Sequence, residues 1–203
     1  MDLDFRPETV NTSITQEIRF ERGDELEFMA GHDFERLDQA FDVRRDGSTI
    51  IPVGKYHTLE VEVEAQSAPQ RRVSIDGSFG YGGFWTGTRS TYSAGLTVRS
   101  APGISVSGSW SLNNVNLGAG SFNTNLVRVA TSLALTPFTA LSTNWQYDDL
   151  SRIAGLYVRF RWTLRPGSNF YLVYTQNWQD SPLDQFRFVN SQTATKLTYT
   201  ARF

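Results

Sequence analysis

Nearly the whole chain alternates apolar and polar residues, the two-residue repeat of an extended strand whose faces meet different surroundings. From Thr91 to Arg99, Tyr92, Ala94, Leu96 and Val98 fall on one face and Ser93, Gly95, Thr97 and Arg99 on the other. Val73, Ile75 and Phe79 oppose Arg72, Ser74, Asp76 and Ser78, while Leu59, Val61 and Val63 oppose Glu60, Glu62 and Glu64. The same reading covers Ile104–Leu112, Leu156–Leu164, Phe170–Trp178 and Leu197–Phe203. It is weaker over Thr9–Phe20, Asp24–Phe34, Asn123–Leu135 and Phe138–Tyr147. About eleven strands are expected, most of roughly ten residues, which suits a tilted strand crossing hydrocarbon.

The connections predict more than the alternation does, because a soluble sandwich alternates too. Short ones carry Pro or Gly: Glu21–Asp24, Ser67–Pro69, Ser100–Gly103, Thr136-Pro137 and Arg165–Ser168. Between them fall mostly longer segments, 37–54, 82–87, 113–122, 147–151 and 179–193. Tight turns on one side and loops on the other are the pattern of an outer-membrane barrel. Trp110, Trp145 and Trp178 are expected at strand ends leading into long connections, and Trp162, Phe170, Phe138, Phe20 and Phe203 at the opposite ends, with Tyr199 a further interface aromatic. Two such aromatic belts are what the two membrane interfaces select. The expected fold is therefore all-β: a transmembrane antiparallel up-and-down β-barrel, with residues 1–203 as one partial domain. Its rivals are a closed structural or interaction barrel and a soluble β-sandwich binding module.

Composition changes the picture only at its edges. Of 203 residues, 39% are hydrophobic and 20% charged, and no apolar run is long enough for a membrane helix. Aromatics reach 13%, cysteine is absent, and the net charge is −2, so no disulfide framework and no nucleic-acid partner is expected. The first residues show no basic stretch followed by an apolar one, so no signal peptide is read there. That absence and the odd strand count together predict a C-terminal part of a larger barrel. The expected place is the bacterial outer membrane, with its lipid as partner. The alternating terminal strand ending at Phe203 resembles the signal read by the barrel-assembly machinery.

Three further pieces resemble one bacterial family: Asp33–Phe41 followed by Ile51–Tyr56, the strand Gly155–Trp162, and Leu164–Tyr174 with its Pro166-Gly167 turn. This is an uncharacterised two-part family in which a carbohydrate-binding-like domain precedes an outer-membrane barrel. The resemblance implies location and architecture, and it brings no catalytic residues.

Candidate chemistry is sparse. His32 and His57 have no surrounding motif for a hydrolase or a zinc site, so no enzyme activity, metal or cofactor is expected. His32 reads as an interfacial residue. Glu60, Glu62, Glu64, Arg72, Asp76, Arg99, Arg128, Arg159 and Arg161, with Glu25 and Glu27, read as lumen-facing. They either line a pore for a small hydrophilic or glycan-derived solute or pair with one another to hold strands in register. Asp42, Asp46, Asp148, Asp149, Asp180 and Asp184 read as solvated loop carboxylates, and Phe84 and Trp85 as interface anchors.

Overall fold

A computed structural model describes residues 7–44, 47–181 and 186–200. It contains thirteen strands: β1 (Thr9–Arg19), β2 (Glu25–Leu37), β3 (Phe41–Asp42), β4 (Ile50–Ile51), β5 (Gly54–Gln66), β6 (Val73–Phe84), β7 (Gly87–Ala101), β8 (Ile104–Leu117), β9 (Gly120–Thr136), β10 (Thr139–Asp148), β11 (Ile153–Arg165), β12 (Ser168–Gln179) and β13 (Arg187–Thr198). Eleven form one antiparallel up-and-down sheet in chain order, from β1 to β13. β3 and β4 make a separate two-stranded hairpin inside the connection between β2 and β5. The all-β fold and the count of eleven strands agree with the alternation, but the last strand is displaced from the expected Leu197–Phe203: β13 begins at Arg187, inside the stretch read as a 179–193 loop, and ends at Thr198, before Tyr199.

The connections need correcting. Asn113–Phe122 is no long loop: β8 runs to Leu117 and β9 starts at Gly120. Gly82–Gly87 likewise reduces to a two-residue turn at Trp85 and Thr86. These segments are rich in Asn, Gly and Thr, which read as loop, yet ladder hydrogen bonds outweigh weak strand propensity. Strands are accordingly 10 to 17 residues long in the main sheet. Trp110 falls within β8 and not at its end. Tight turns do occur where Pro-Gly predicts them, with Gly103 at φ +79° and Gly167 at φ +84°.

The chain forms two compact units. The first comprises residues through Pro69, Ile75–Ala94 and Ser111–Asn125; the second comprises Gln70–Ser74, Gly95–Trp110 and Leu126 onward.

In the first unit, β5 pairs with β2 so that Val63 faces Phe28, Val61 faces Ala30 and Leu59 faces His32. On its other side Val63 meets Phe79 and Val61 meets Tyr81. This apolar face is open: Leu59 is 71% exposed, Ile14 76% and Ile75 60%. The polar face carries the row Glu17, Glu27, Glu64 and Ser78, directly opposite one another on β1, β2, β5 and β6.

In the second unit, β10 to β13 pair in the same way. One face holds the rows Thr143–Val158–Tyr174–Thr193 and Leu141–Phe160–Leu172–Thr195. The other holds Ser142–Arg159–Val173–Ala194 and Ala140–Arg161–Tyr171–Lys196.

Among the described residues only five hydrophobic side chains are buried: Ile51, Ala68, Val115, Leu117 and Ala154. Three of them make one cluster in the first unit, with Leu37, Val43, Tyr56, Phe84, Trp85 and Phe122 packed around it. Its position follows from alternation. Asn113 accepts from Thr91 and donates to Thr124, which places it on the polar face. Val115 and Leu117, two and four residues on, continue that side. The described parts of the connection between β2 and β5, 38–44 and 47–53, thus fold over the polar face at one end of these strands, and Ile51 seals them there.

Candidate functional site

Glu60, Glu62, Glu64 and Asp76 fall on the first unit's polar face and Arg99, Arg128, Arg159 and Arg161 on the second's, with Arg72 just before β6, but among the described residues they do not form the ladder of Glu–Arg pairs that a register-locking role needs. Glu60, Glu62 and Glu64 stand opposite Gly82, Gly80 and Ser78 on β6, and opposite Gly31, Met29 and Glu27 on β2. Among the described residues Glu60 is the only one of the nine in an ion pair, 3.3 Å from Arg89. Arg99 donates to the Ser74 hydroxyl at 2.9 Å and the Arg71 carbonyl at 3.4 Å. Arg128 donates to the Gln146 side-chain carbonyl at 3.0 Å. Arg159 and Arg161 have no carboxylate partner among the described residues. The chain from Leu126 to its end contains no glutamate, and its described aspartates, 148, 149 and 180, fall at or beyond strand ends. Acidic side chains therefore crowd the first unit's polar face and basic ones the second's.

At the edge of the first unit Glu25 and Glu27 separate. Glu25 accepts from Gln66 at 2.5 Å and lies 3.2 Å from Arg19, which also bonds Glu17. Glu27 lies between Glu17 and Glu64. Directly opposed like charges in a sheet are destabilising, so this row is held by the surrounding ladder and not by its own contacts.

Phe84 and Trp85 are not lipid anchors, which corrects the sequence reading. Trp85 takes φ +46°, a left-handed conformation rare for a bulky residue, and turns its ring inward. Its indole N–H donates to Glu35 at 2.7 Å, and its ring meets Phe84 at 4.4 Å and Phe41 at 5.4 Å. Arg89 lies 4.8 Å above the Phe84 ring. The tight turn at 85–86 imposes this; a glycine-framed loop read from sequence leaves both rings free to point outward.

His32 and His57 meet on the apolar face, with ring nitrogens 3.4 Å apart and Phe34 4.9 Å from the His57 ring. Sequence alone gave no sign of the pairing, because their contact depends on the β2–β5 register across 25 residues. No group of three or more His, Cys, Asp or Glu residues suited to a metal occurs among the described residues. Of the expected belt residues, Trp110, Trp145, Trp162 and Tyr199 are exposed, while Trp178 is half-buried beside Ala154. Tyr199 carries Arg165 4.3 Å above its ring. Phe203 lies outside the described residues, as do Asp46 and Asp184. Asp42 and Asp148 are not idle loop carboxylates: Asp42 accepts from the Arg44 and Gly47 amides, and Asp148 from the Leu150 amide and Ser151 hydroxyl.

The polar faces also bound open clefts. On β10–β12 of the second unit a cavity of about 440 Å³ is lined by Asn144, Gln146, Gly155, Tyr157, Thr175 and Asn177, among others. Beneath Trp85 in the first unit a smaller one of about 170 Å³ includes Glu35, Glu60 and Arg89.

No family model matches this chain, and no curated protein does. A solved porin, described as the NanC porin structure in a rhombohedral crystal form, is similar to it with a TM-score of 0.40 and 10% identity. That similarity covers 96% of this chain and 94% of the porin. The architecture described above stands on the chain's own ladders and exposures.

Proposed function

We propose that this chain is wall of a bacterial outer-membrane β-barrel, with its apolar face against lipid and its polar face toward a water-filled lumen used by small hydrophilic solutes. One observation carries this reading. Among the described residues five hydrophobic side chains are buried, far too few to hold such a sheet together in water, while Leu59, Val61, Ile75, Leu96 and Leu172 stand 37% to 71% exposed in alternating rows. A sandwich would bury that face against a second sheet, gaining roughly 1.5–3 kcal/mol for each large side chain. Lipid tails supply an equivalent apolar surrounding without a second sheet.

Lumen-facing roles for Glu60, Glu62, Glu64, Arg72, Asp76, Arg99, Arg128, Arg159 and Arg161 belong to the same proposal. The near-absence of ion pairs among them favours a hydrated lining over a closed, charge-locked interior. Solutes derived from glycans, the terminal-strand partnership with the assembly machinery, and the interface roles of Trp110, Trp145, Trp162, Trp178, Tyr199 and Phe203 extend it. The test is refolding into detergent and then planar bilayers. Heat-modifiable gel migration with discrete single-channel currents supports the reading; a chain folded and monomeric in plain buffer contradicts it. Heat-modifiable but silent protein leaves the barrel and removes the pore.

A further inference from the structure

The 440 Å³ cavity on the second unit's polar face has the volume of a small-molecule site, and its lining is chemically selective. We propose that it binds an uncharged polyhydroxylated solute of monosaccharide size; this rests on the reading of that face as solute-accessible.

The row Gln146–Gly155–Asn177 crosses β10, β11 and β12 directly, and Asn144–Tyr157–Thr175 lies one step along on the same face. Strand spacing sets the Gln146 and Asn177 backbones about 10 Å apart, with Gly155 as an unobstructed floor between them. A Cβ added at Gly155 would come within 3.1 Å of the Asn177 side-chain oxygen, so any side chain there would narrow the gap.

The hydrogen-bonding state of each amide is fixed by its other neighbours. Arg128 occupies the Gln146 carbonyl oxygen at 3.0 Å, which leaves the Gln146 NH2 as donor. Asn177 donates its NH2 to Asn190 at 2.8 Å, which leaves its oxygen as acceptor. Asn144 Oδ1 is buried and has no partner. Leaving such a group orphaned is costly, and a rotation of the Asn144 side chain into the cavity would let a ligand hydroxyl satisfy it.

A hydroxyl both donates and accepts, so it matches alternating donors and acceptors of this kind. An anionic solute finds no cationic side chain in this lining, and its one carboxylate, Asp148, already accepts from the Leu150 amide and the Ser151 hydroxyl.

The experiment titrates the refolded chain in micelles with D-glucose, D-glucuronate and D-glucosamine, read by calorimetry or saturation-transfer NMR. Glucose should bind more tightly than either charged analogue. The double variant Asn144→Ala/Asn177→Ala should weaken it about tenfold, the scale of two lost hydrogen bonds. Gly155→Ala should weaken it as well, and Ser105→Ala, elsewhere on the polar face, should not. Heat-modifiable migration verifies that each variant is folded. A folded double variant with unchanged affinity overturns the site, as does glucuronate binding tenfold more tightly than glucose. A chain that conducts ions but binds no glucose overturns this site and leaves the barrel intact. A chain that stays soluble without micelles overturns both.

Discussion

Replacing Val61 with arginine separates lipid from water on the apolar face more sharply than any other single change. Val61 is near the middle of β5, 55% exposed, with Ala30 and Tyr81 as its cross-strand neighbours. If that face met water, Val61→Arg would be an ordinary surface substitution, within about 0.5 kcal/mol of neutral. No cavity would form and no polar atom would be buried. Against hydrocarbon the same change costs about 2–4 kcal/mol near the midplane, a shift of roughly 30- to 1,000-fold in the folding equilibrium. The adjacent residue supplies the control. Glu62 points to the opposite face, between Met29 and Gly80 and flanked by Glu60 and Glu64. Glu62→Arg relieves like-charge crowding there and should be neutral or mildly stabilising. The assay is equilibrium unfolding in denaturant from phospholipid vesicles, comparing both variants with the parent chain. A cost below 0.5 kcal/mol for Val61→Arg, or equal costs for the two, would refute the assignment of faces.

Other consequences concern the loop and the turns. Ile51→Ala removes the fully buried side chain that seals the 38–53 connection to Val115 and Leu117; it should cost about 2–5 kcal/mol locally and speed proteolysis within that connection while heat-modifiable migration persists. Deleting residues 39–50 should raise single-channel conductance, because the connection folds over the polar face; unchanged conductance would place it clear of the solute path. Gly87→Ala should disrupt the end of β7, since a Cβ there would lie 1.9 Å from the Asn116 carbonyl oxygen. Its cost, about 1–3 kcal/mol or more, should appear as a lowered unfolding midpoint.

How far the fold could be read in advance depended on what each residue answers to. The strands were legible because Leu59–Glu64 and Tyr92–Arg99 alternate between two environments, and a period of two survives any tertiary arrangement. Pro102-Gly103 and Pro166-Gly167 were legible as turns because their backbone angles are restricted locally. The 82–87 and 113–122 segments were misread as loops because Gly, Asn and Thr pair in a ladder when the neighbouring strand extends beside them. Trp85 shows the same limit. Its inward turn depends on a partner at Glu35, fifty residues away, and on a left-handed backbone that composition does not announce. Glu60, Glu62 and Glu64 were legible as one face of β5, yet their pairing was not foreseeable. Whether Glu64 meets an arginine or Glu27 is decided by register, and a slip of a single residue would turn it to the other face.

The absence of cysteine makes one direct measurement possible. Single cysteines placed from Leu59 to Glu64, each carrying a nitroxide label, can be tested in vesicles against oxygen, which concentrates in lipid, and a polar nickel chelate, which stays in water. Oxygen should dominate at 59, 61 and 63 and the chelate at 60, 62 and 64. Collision with the chelate at all six positions would show that both faces meet water, and the membrane account of this chain would be wrong.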